Sequence, residues 1–207
     1  MSQLLQEDIE LFRPIFIENL KRFKDEQIIK ILCGVRRCGK STILESYKNE
    51  LLSLGVKSCN IIQRLYTSLE FDYDFDYRKM YHELMALIEN ADKNQKIYLL
   101  LDEVQEVENW EKCVNSLFEN QNVDIYVTGS NSKFLSSDIV TEFRGRGDEI
   151  RIYPLSFCEF YSVYEGDKSS AFKDYITYGG LPLVLLQQTS SDKINYLNNQ
   201  QKNVYLN

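Results

Sequence analysis

Eight consecutive residues, Gly34-Val35-Arg36-Arg37-Cys38-Gly39-Lys40-Ser41, constrain this chain more than anything else in it, because they fit the pattern G-x-x-x-x-G-K-[ST] without a mismatch. The pattern has mechanical meaning only between a strand and a helix, and both flanks supply one. Residues 28–33 form a short apolar run ending at the first glycine, which reads as a buried parallel strand. Ile43, Leu44, Tyr47, Leu51 and Leu54 then recur at helical spacing.

The residue types predict the chemistry of that loop. Gly34 and Gly39 are expected to take backbone conformations denied to other residues, so that successive N–H groups turn inward around an anion. The helix opening near Lys40 adds the positive end of its dipole and its unpaired donors. The loop from Gly34 through Val35, Arg36, Arg37, Cys38 and Gly39 is therefore the expected cradle of a polyphosphate. Lys40 is assigned to the β- and γ-phosphate oxygens and the Ser41 hydroxyl to Mg²⁺. The Cys38 thiol, at a helix start, is expected to be activated, so that its alkylation blocks nucleotide binding.

A second element answers the first. Residues 97–101 are almost continuously apolar and end in Asp102-Glu103, the pattern of a central strand covered on both faces. In an open parallel sheet, ligand chemistry gathers at the carboxyl ends of strands. Asp102 is placed beside the Mg²⁺ as an acceptor for its waters, and Glu103 beside the attacking water as its polarising base. Residues 123–128 read as another strand, with Gly129-Ser130-Asn131-Ser132 at its tip. Ser130 or Asn131 is then a candidate γ-phosphate sensor or water-orienting group, or alternatively a cap for a helix at 133–135. Arg144 and Arg146 sit in a glycine-bearing loop, where a guanidinium either stays solvated or stabilises charge on a transferred phosphoryl group.

The rest of the chain reads as support. Residues 15–24 form an amphipathic helix with Ile15, Phe16, Leu20 and Phe23 toward one side, after a break at Arg13-Pro14. Residues 60–66 are a second strand. The run Phe71-Asp72-Tyr73-Asp74-Phe75-Asp76-Tyr77 has calcium-loop carboxylate spacing but puts Tyr77 where glycine is needed, so it reads as a loop with inward aromatics. Asn109 is a plausible N-cap for a helix carrying Trp110, Cys113, Val114, Leu117 and Phe118. Residues 149–153 read as a strand, and Ser156 to Glu159 as a capping box opening a helix. From Gln187 on, the chain is polar with scattered apolar residues. The expected organisation is an N-terminal helical strap at 1–27, a core at 28–165, and at 166–207 the beginning of a truncated helical lid or C-terminal module.

Composition narrows the partners. The 207 residues carry a net charge of −7, which disfavours generic binding to nucleic-acid backbone. No apolar run approaches the roughly 20 residues that span a bilayer, and residues 1–10 are acidic rather than signal-like, so no membrane partner and a cytoplasmic location are expected. Five cysteines form no C-x-x-C pair and there is one histidine, so neither a zinc site nor a disulfide framework is expected.

Taken together, these stretches resemble prokaryotic ATP-binding proteins of the AAA superfamily that join an ATPase domain to a C-terminal domain of unknown function. The resemblance is carried by Arg13-Pro14, the phosphate loop with Thr42 added, Leu101-Asp102-Glu103-Val104-Gln105 and Thr128-Gly129-Ser130-Asn131-Ser132. Pro154 to Phe160 and Tyr178-Gly179-Gly180-Leu181-Pro182 extend it. It implies an α/β fold of three layers with a parallel sheet in the order 5-1-4-3-2, ATP and Mg²⁺ as ligands, and ATP hydrolysis. It also implies that Gly145-Arg146 corresponds to the family's Gly-Arg pair, with Arg146 as an arginine finger within the chain or across a homo-oligomer. The C-terminal domain is expected to be missing from this chain. The alternatives weighed against an ATPase are a small-molecule or nucleotide kinase and a nucleotide-switched binding module with negligible turnover.

Overall fold

The computed structural model describes residues 13–67, 74–120, 122–130, 134, 143 and 145–205. By packing, these fall into two compact units. One comprises Pro14–Arg36 and Lys40–Ile152; the other comprises Arg13, Arg37–Gly39 and the chain from Tyr153 onward.

The first unit is built on five parallel strands, β1 (Ile29–Cys33), β2 (Ile61–Leu65), β3 (Ile97–Asp102), β4 (Val123–Gly129) and β5 (Gly147–Arg151), in the order β2-β3-β4-β1-β5. This is the expected 5-1-4-3-2 order. β1, β3 and β4 are buried along their whole length, which is why they read as apolar runs rather than alternating ones.

Strand pleating sorts their side chains between two helical layers. Ile29, Ile31, Leu99, Leu101, Ile125 and Val127 share a core with Met80, Leu84 and Ile88 of α3 (Tyr77–Glu89) and Trp110, Cys113, Val114 and Leu117 of α4 (Trp110–Phe118). The opposite face meets α2 (Lys40–Ser53), where Tyr47 lies 4.9 Å from Tyr126, ring to ring. α1 (Pro14–Arg22) packs beside α2.

Several local expectations shift. In α1 it is Phe16, Ile17 and Leu20 that are buried, while Ile15 stands 63% exposed. Ile15 follows Pro14 in the first turn, one step off the stripe that faces α2. Asn109 has φ 58° and makes no side-chain cap, whereas Asp76 caps α3 by accepting from the Arg78 and Lys79 N–H groups. Phe75 and Tyr77 do pack against the core; residues 71–73 lie outside the described set. β5 begins at Gly147, two residues earlier than the sequence suggests, because Ile29 and Gly147 pair in register.

The second unit holds α5 (Phe157–Ser162), α6 (Lys168–Tyr178), a 3-10 turn at Pro182–Val184 and α7 (Ser190–Tyr205). Its small core is Leu155, Phe160 and Ala171 with Phe157, Tyr164, Tyr175 and Leu185 around it. The Ser156 to Glu159 capping box forms with both reciprocal bonds. A Cβ on Gly180 would lie 2.2 Å from the Leu155 carbonyl oxygen, so that paired-glycine turn permits a close backbone approach. Grouped by packing, this unit takes in α5, whose apolar face meets α6. The polar segment after Gln187 is a 16-residue helix that its composition alone does not announce.

Candidate functional site

The phosphate loop leaves the C-terminal end of β1 and enters α2 at Lys40. Its positive φ values fall at Arg37 (66°) and Gly39 (101°), not at Gly34. Of the two, only Gly39 escapes the steric cost of that conformation. Gly34 is buried instead, while Val35, Arg36, Arg37, Ser41 and Thr42 are exposed. Cys38 is fully buried, so the expected alkylation of its thiol does not fit the structure.

Lys40 is the most telling side chain of the loop. Only 3% exposed, its ammonium donates to the Gly34 and Val35 carbonyl oxygens at 3.1 and 3.3 Å, and no carboxylate among the described residues pairs with it. A buried cation held by neutral carbonyls is incompletely compensated, and an anion at the head of α2 would complete it.

Across the sheet, β4 lies between β1 and β3, so the ends of β1 and β3 are roughly 10 Å apart. Asp102 and Thr128 have the strand parity of Tyr98 and Tyr126 and so belong to the face that α2 covers. The Thr128 hydroxyl donates to Asp102 Oδ1 and accepts from the Glu103 N–H at 3.0 Å. Glu103 ends the strand in a left-handed conformation, φ 53° and ψ 44°, uncommon for a residue with a side chain. Its Oε2 accepts from the Ser130 hydroxyl at 2.8 Å and from the Gln105 amide. Gln105 Oε1 is buried without a hydrogen-bond partner among the described residues.

The tips of β3 and β4 therefore meet as expected, with Ser130 on Glu103. Asn131 and Arg144 lie outside the described residues. The sequence places Thr128 on a strand and in a stretch that carries the family resemblance, but its bond to Asp102 depends on which strand lies next to it. Gly129 is needed where it stands, since a Cβ there would come within 2.2 Å of the Phe134 ring, itself stacked 5.4 Å from Trp110.

Arg146 is not brought to the loop. Its carbonyl accepts from the Ile29 N–H at 2.7 Å, at the start of β1, whereas the loop follows the end of that strand. Five residues of strand separate them, roughly 15 Å. Its guanidinium pairs with Glu119 at 2.8 Å and lies over the Phe118 ring at 5.4 Å. This placement does not fit Arg146 as a finger acting within the chain.

A phosphate loop after β1, an acidic tip on β3 and the intervening β4 define a P-loop domain of the AAA superfamily. The comparisons agree: a family model described as an AAA domain matches residues 26–161, and the chain belongs to that family. It is 38% identical over 182 residues to an uncharacterized protein of Haemophilus influenzae, covering 84% of this chain and 44% of the relative. An uncharacterized protein of Methanocaldococcus jannaschii is 28% identical over 216 residues, covering 90% and 45%. The chain thus spans less than half the length of these curated relatives.

Among solved structures, AMPPCP-bound DnaA from Aquifex aeolicus aligns with a TM-score of 0.51 at 14% identity, covering 89% of this chain and 58% of that one. A DNA polymerase III gamma subunit-related protein of Thermotoga maritima gives 0.51 at 12% identity, covering 76% and 57%. At such identities the likeness is one of fold.

Proposed function

We propose that this chain binds MgATP and hydrolyses it, and that its nucleotide state drives a conformational change or a partner interaction. The observation that carries the reading is the buried Lys40 ammonium, which among the described residues is held by loop carbonyls alone, at the head of α2. AMPPCP in the DnaA structure supports a triphosphate as the ligand. Adenine is favoured by the family and by the lack of an Asn-Lys-x-Asp guanine-reading motif in the sequence.

In this reading the loop amides and Lys40 bind the β- and γ-phosphate oxygens. Ser41 and, through water, Asp102 would hold Mg²⁺, which when bound neutralises phosphate charge. Thr128 fixes the Asp102 carboxylate and the Glu103 backbone. Glu103 accepts the proton of the attacking water, and the Ser130 hydroxyl orients its carboxylate. Among the described residues no helix is long and apolar enough to cross a membrane, which fits action in the cytoplasm.

The placement of Arg146 favours a second reading beside the first. With Arg146 remote from the loop of its own chain, turnover stays slow until a second copy supplies a finger, and the isolated chain behaves as a nucleotide-switched binding module. Phosphate release and MgATP affinity, measured on wild type and Glu103→Gln, test both. An ATPase requires that the variant bind MgATP and lose at least about a hundredfold in release, the scale of general-base catalysis. Tight binding with no turnover in either protein supports the switch. Equal release from both would overturn the role given to Glu103.

A further inference from the structure

Arg13, which directly precedes α1, is buried to 4% exposure, unusual for a guanidinium. Its Nε and Nη2 donate to the two Glu159 carboxylate oxygens at 2.7 and 3.3 Å, a forked pair. Its Nη1 donates to the Tyr153 carbonyl at 2.9 Å and to the Cys38 carbonyl at 3.2 Å. All four residues belong to the second unit. Glu159 is in turn held by its capping box, Oε2 accepting from the Ser156 N–H at 2.8 Å. The guanidinium is thus anchored from one side and grips the phosphate-loop backbone with the other.

The grip falls on one peptide bond. No peptide of the described chain is cis, so the Cys38–Gly39 unit is trans, and its C=O and N–H point in opposite directions. Holding the Cys38 oxygen toward Arg13 therefore turns the Gly39 N–H away from it. No acceptor among the described residues takes that N–H. Gly39, at φ 101°, is also the residue across which this peptide could most readily rotate. Beside it, the Arg37 guanidinium lies 5.7 Å from the Tyr196 ring centroid.

We propose that Arg13 is a positioning residue for phosphate binding: by fixing the Cys38 carbonyl it presents the Gly39 N–H as a preformed donor to a phosphate oxygen. This rests on the nucleotide-binding reading above for its ligand, but its structural half does not. Without Arg13 the peptide samples both orientations, and the anion must select one at the cost of affinity.

The test uses the whole chain, ¹⁵N-labelled, as wild type, Arg13→Ala, Arg13→Lys and Glu159→Ala. Without nucleotide, the Gly39 amide is expected to give one sharp resonance in wild type. In Arg13→Ala it should be doubled or exchange-broadened, while Gly180 and Gly129 stay sharp and so report intact folding of each unit. An unchanged Gly39 amide in Arg13→Ala overturns the proposal. Titration with MgATP and with inorganic tripolyphosphate should show Kd raised about tenfold or more in Arg13→Ala, the scale of one hydrogen bond to a charged group. Arg13→Lys should recover part of that loss. Glu159→Ala, which leaves the bond to the Cys38 carbonyl in place, should lose clearly less. If Arg13→Ala and Glu159→Ala lose equally, Arg13 is only a tie to α5 and the proposal fails. Failure of wild type to bind either probe would sink the nucleotide reading alone, since the amide resonance judges the peptide independently.

Discussion

Thr128 and Asp102 are joined across the β4–β3 boundary, and the same threonine hydroxyl accepts from the Glu103 N–H at 3.0 Å. One small side chain thus sets both a carboxylate and the backbone that aims its neighbour. Thr128→Val keeps the shape but strands a buried acceptor and a donor. It is expected to cost about 1–3 kcal/mol in urea unfolding and to lower phosphate release, whereas Thr128→Ser stays near wild type in both. A valine variant as active and stable as wild type would remove Thr128 from the site.

Lys40→Met separates binding from folding. Among the described residues the buried ammonium has no carboxylate partner, so its loss should leave the melting temperature equal or higher. MgATP affinity should fall roughly ten- to a hundredfold, as for a lost charge-assisted contact. Calorimetry and thermal melting read the two effects on one sample.

Under the sheet, Lys30 and Asp124 form a fully buried pair. Lys30 also donates to the Glu26 carbonyl at 2.7 Å, and Asp124 accepts from the Tyr126 hydroxyl and the Asp25 N–H at 3.0 and 2.9 Å. Burial pulls the lysine below and pushes the aspartate above their ordinary ranges, against the attraction between them. Lys30→Met is expected to destabilise by about 3–5 kcal/mol, because it leaves an uncompensated buried carboxylate. Adding Asp124→Leu should recover part of that loss in denaturant titration, with the Tyr126 and Asp25 donors accounting for the remainder.

Glu159 predicts a pH dependence for the second unit. Burial alone would raise its carboxyl, but bonds from Arg13 and Ser156 outweigh this and hold it below the ordinary 4.5. A depressed carboxyl stabilises the fold above its unfolded value and loses that contribution as pH falls through the folded one. The stability advantage of wild type over Glu159→Gln should therefore be full at pH 7 and shrink progressively as pH falls below about 4.5. Melting curves across that range, followed through Tyr175 or Tyr164, provide the check.

Much of this was legible in the chain itself. The loop pattern, the apolar runs and the Asp102-Glu103 cap are local signals, because strand burial and loop chemistry are written in adjacent residues. They identify a strand-loop-helix unit and an acidic strand end without any knowledge of what lies beside them. The polar helix after Gln187 was not legible, since it rests on packing and propensity rather than on a clear apolar stripe.

What tertiary structure alone decided are the relationships between distant residues. That Thr128 meets Asp102 follows from β4 lying beside β3; that Arg146 stands at the wrong end of the strands follows from its pairing with Ile29. Arg13 and Glu159 are 146 positions apart, and nothing in either neighbourhood announces the other. Local sequence determines which groups a segment can offer; only the closed fold, by excluding water and setting strand order, determines which of those groups face one another.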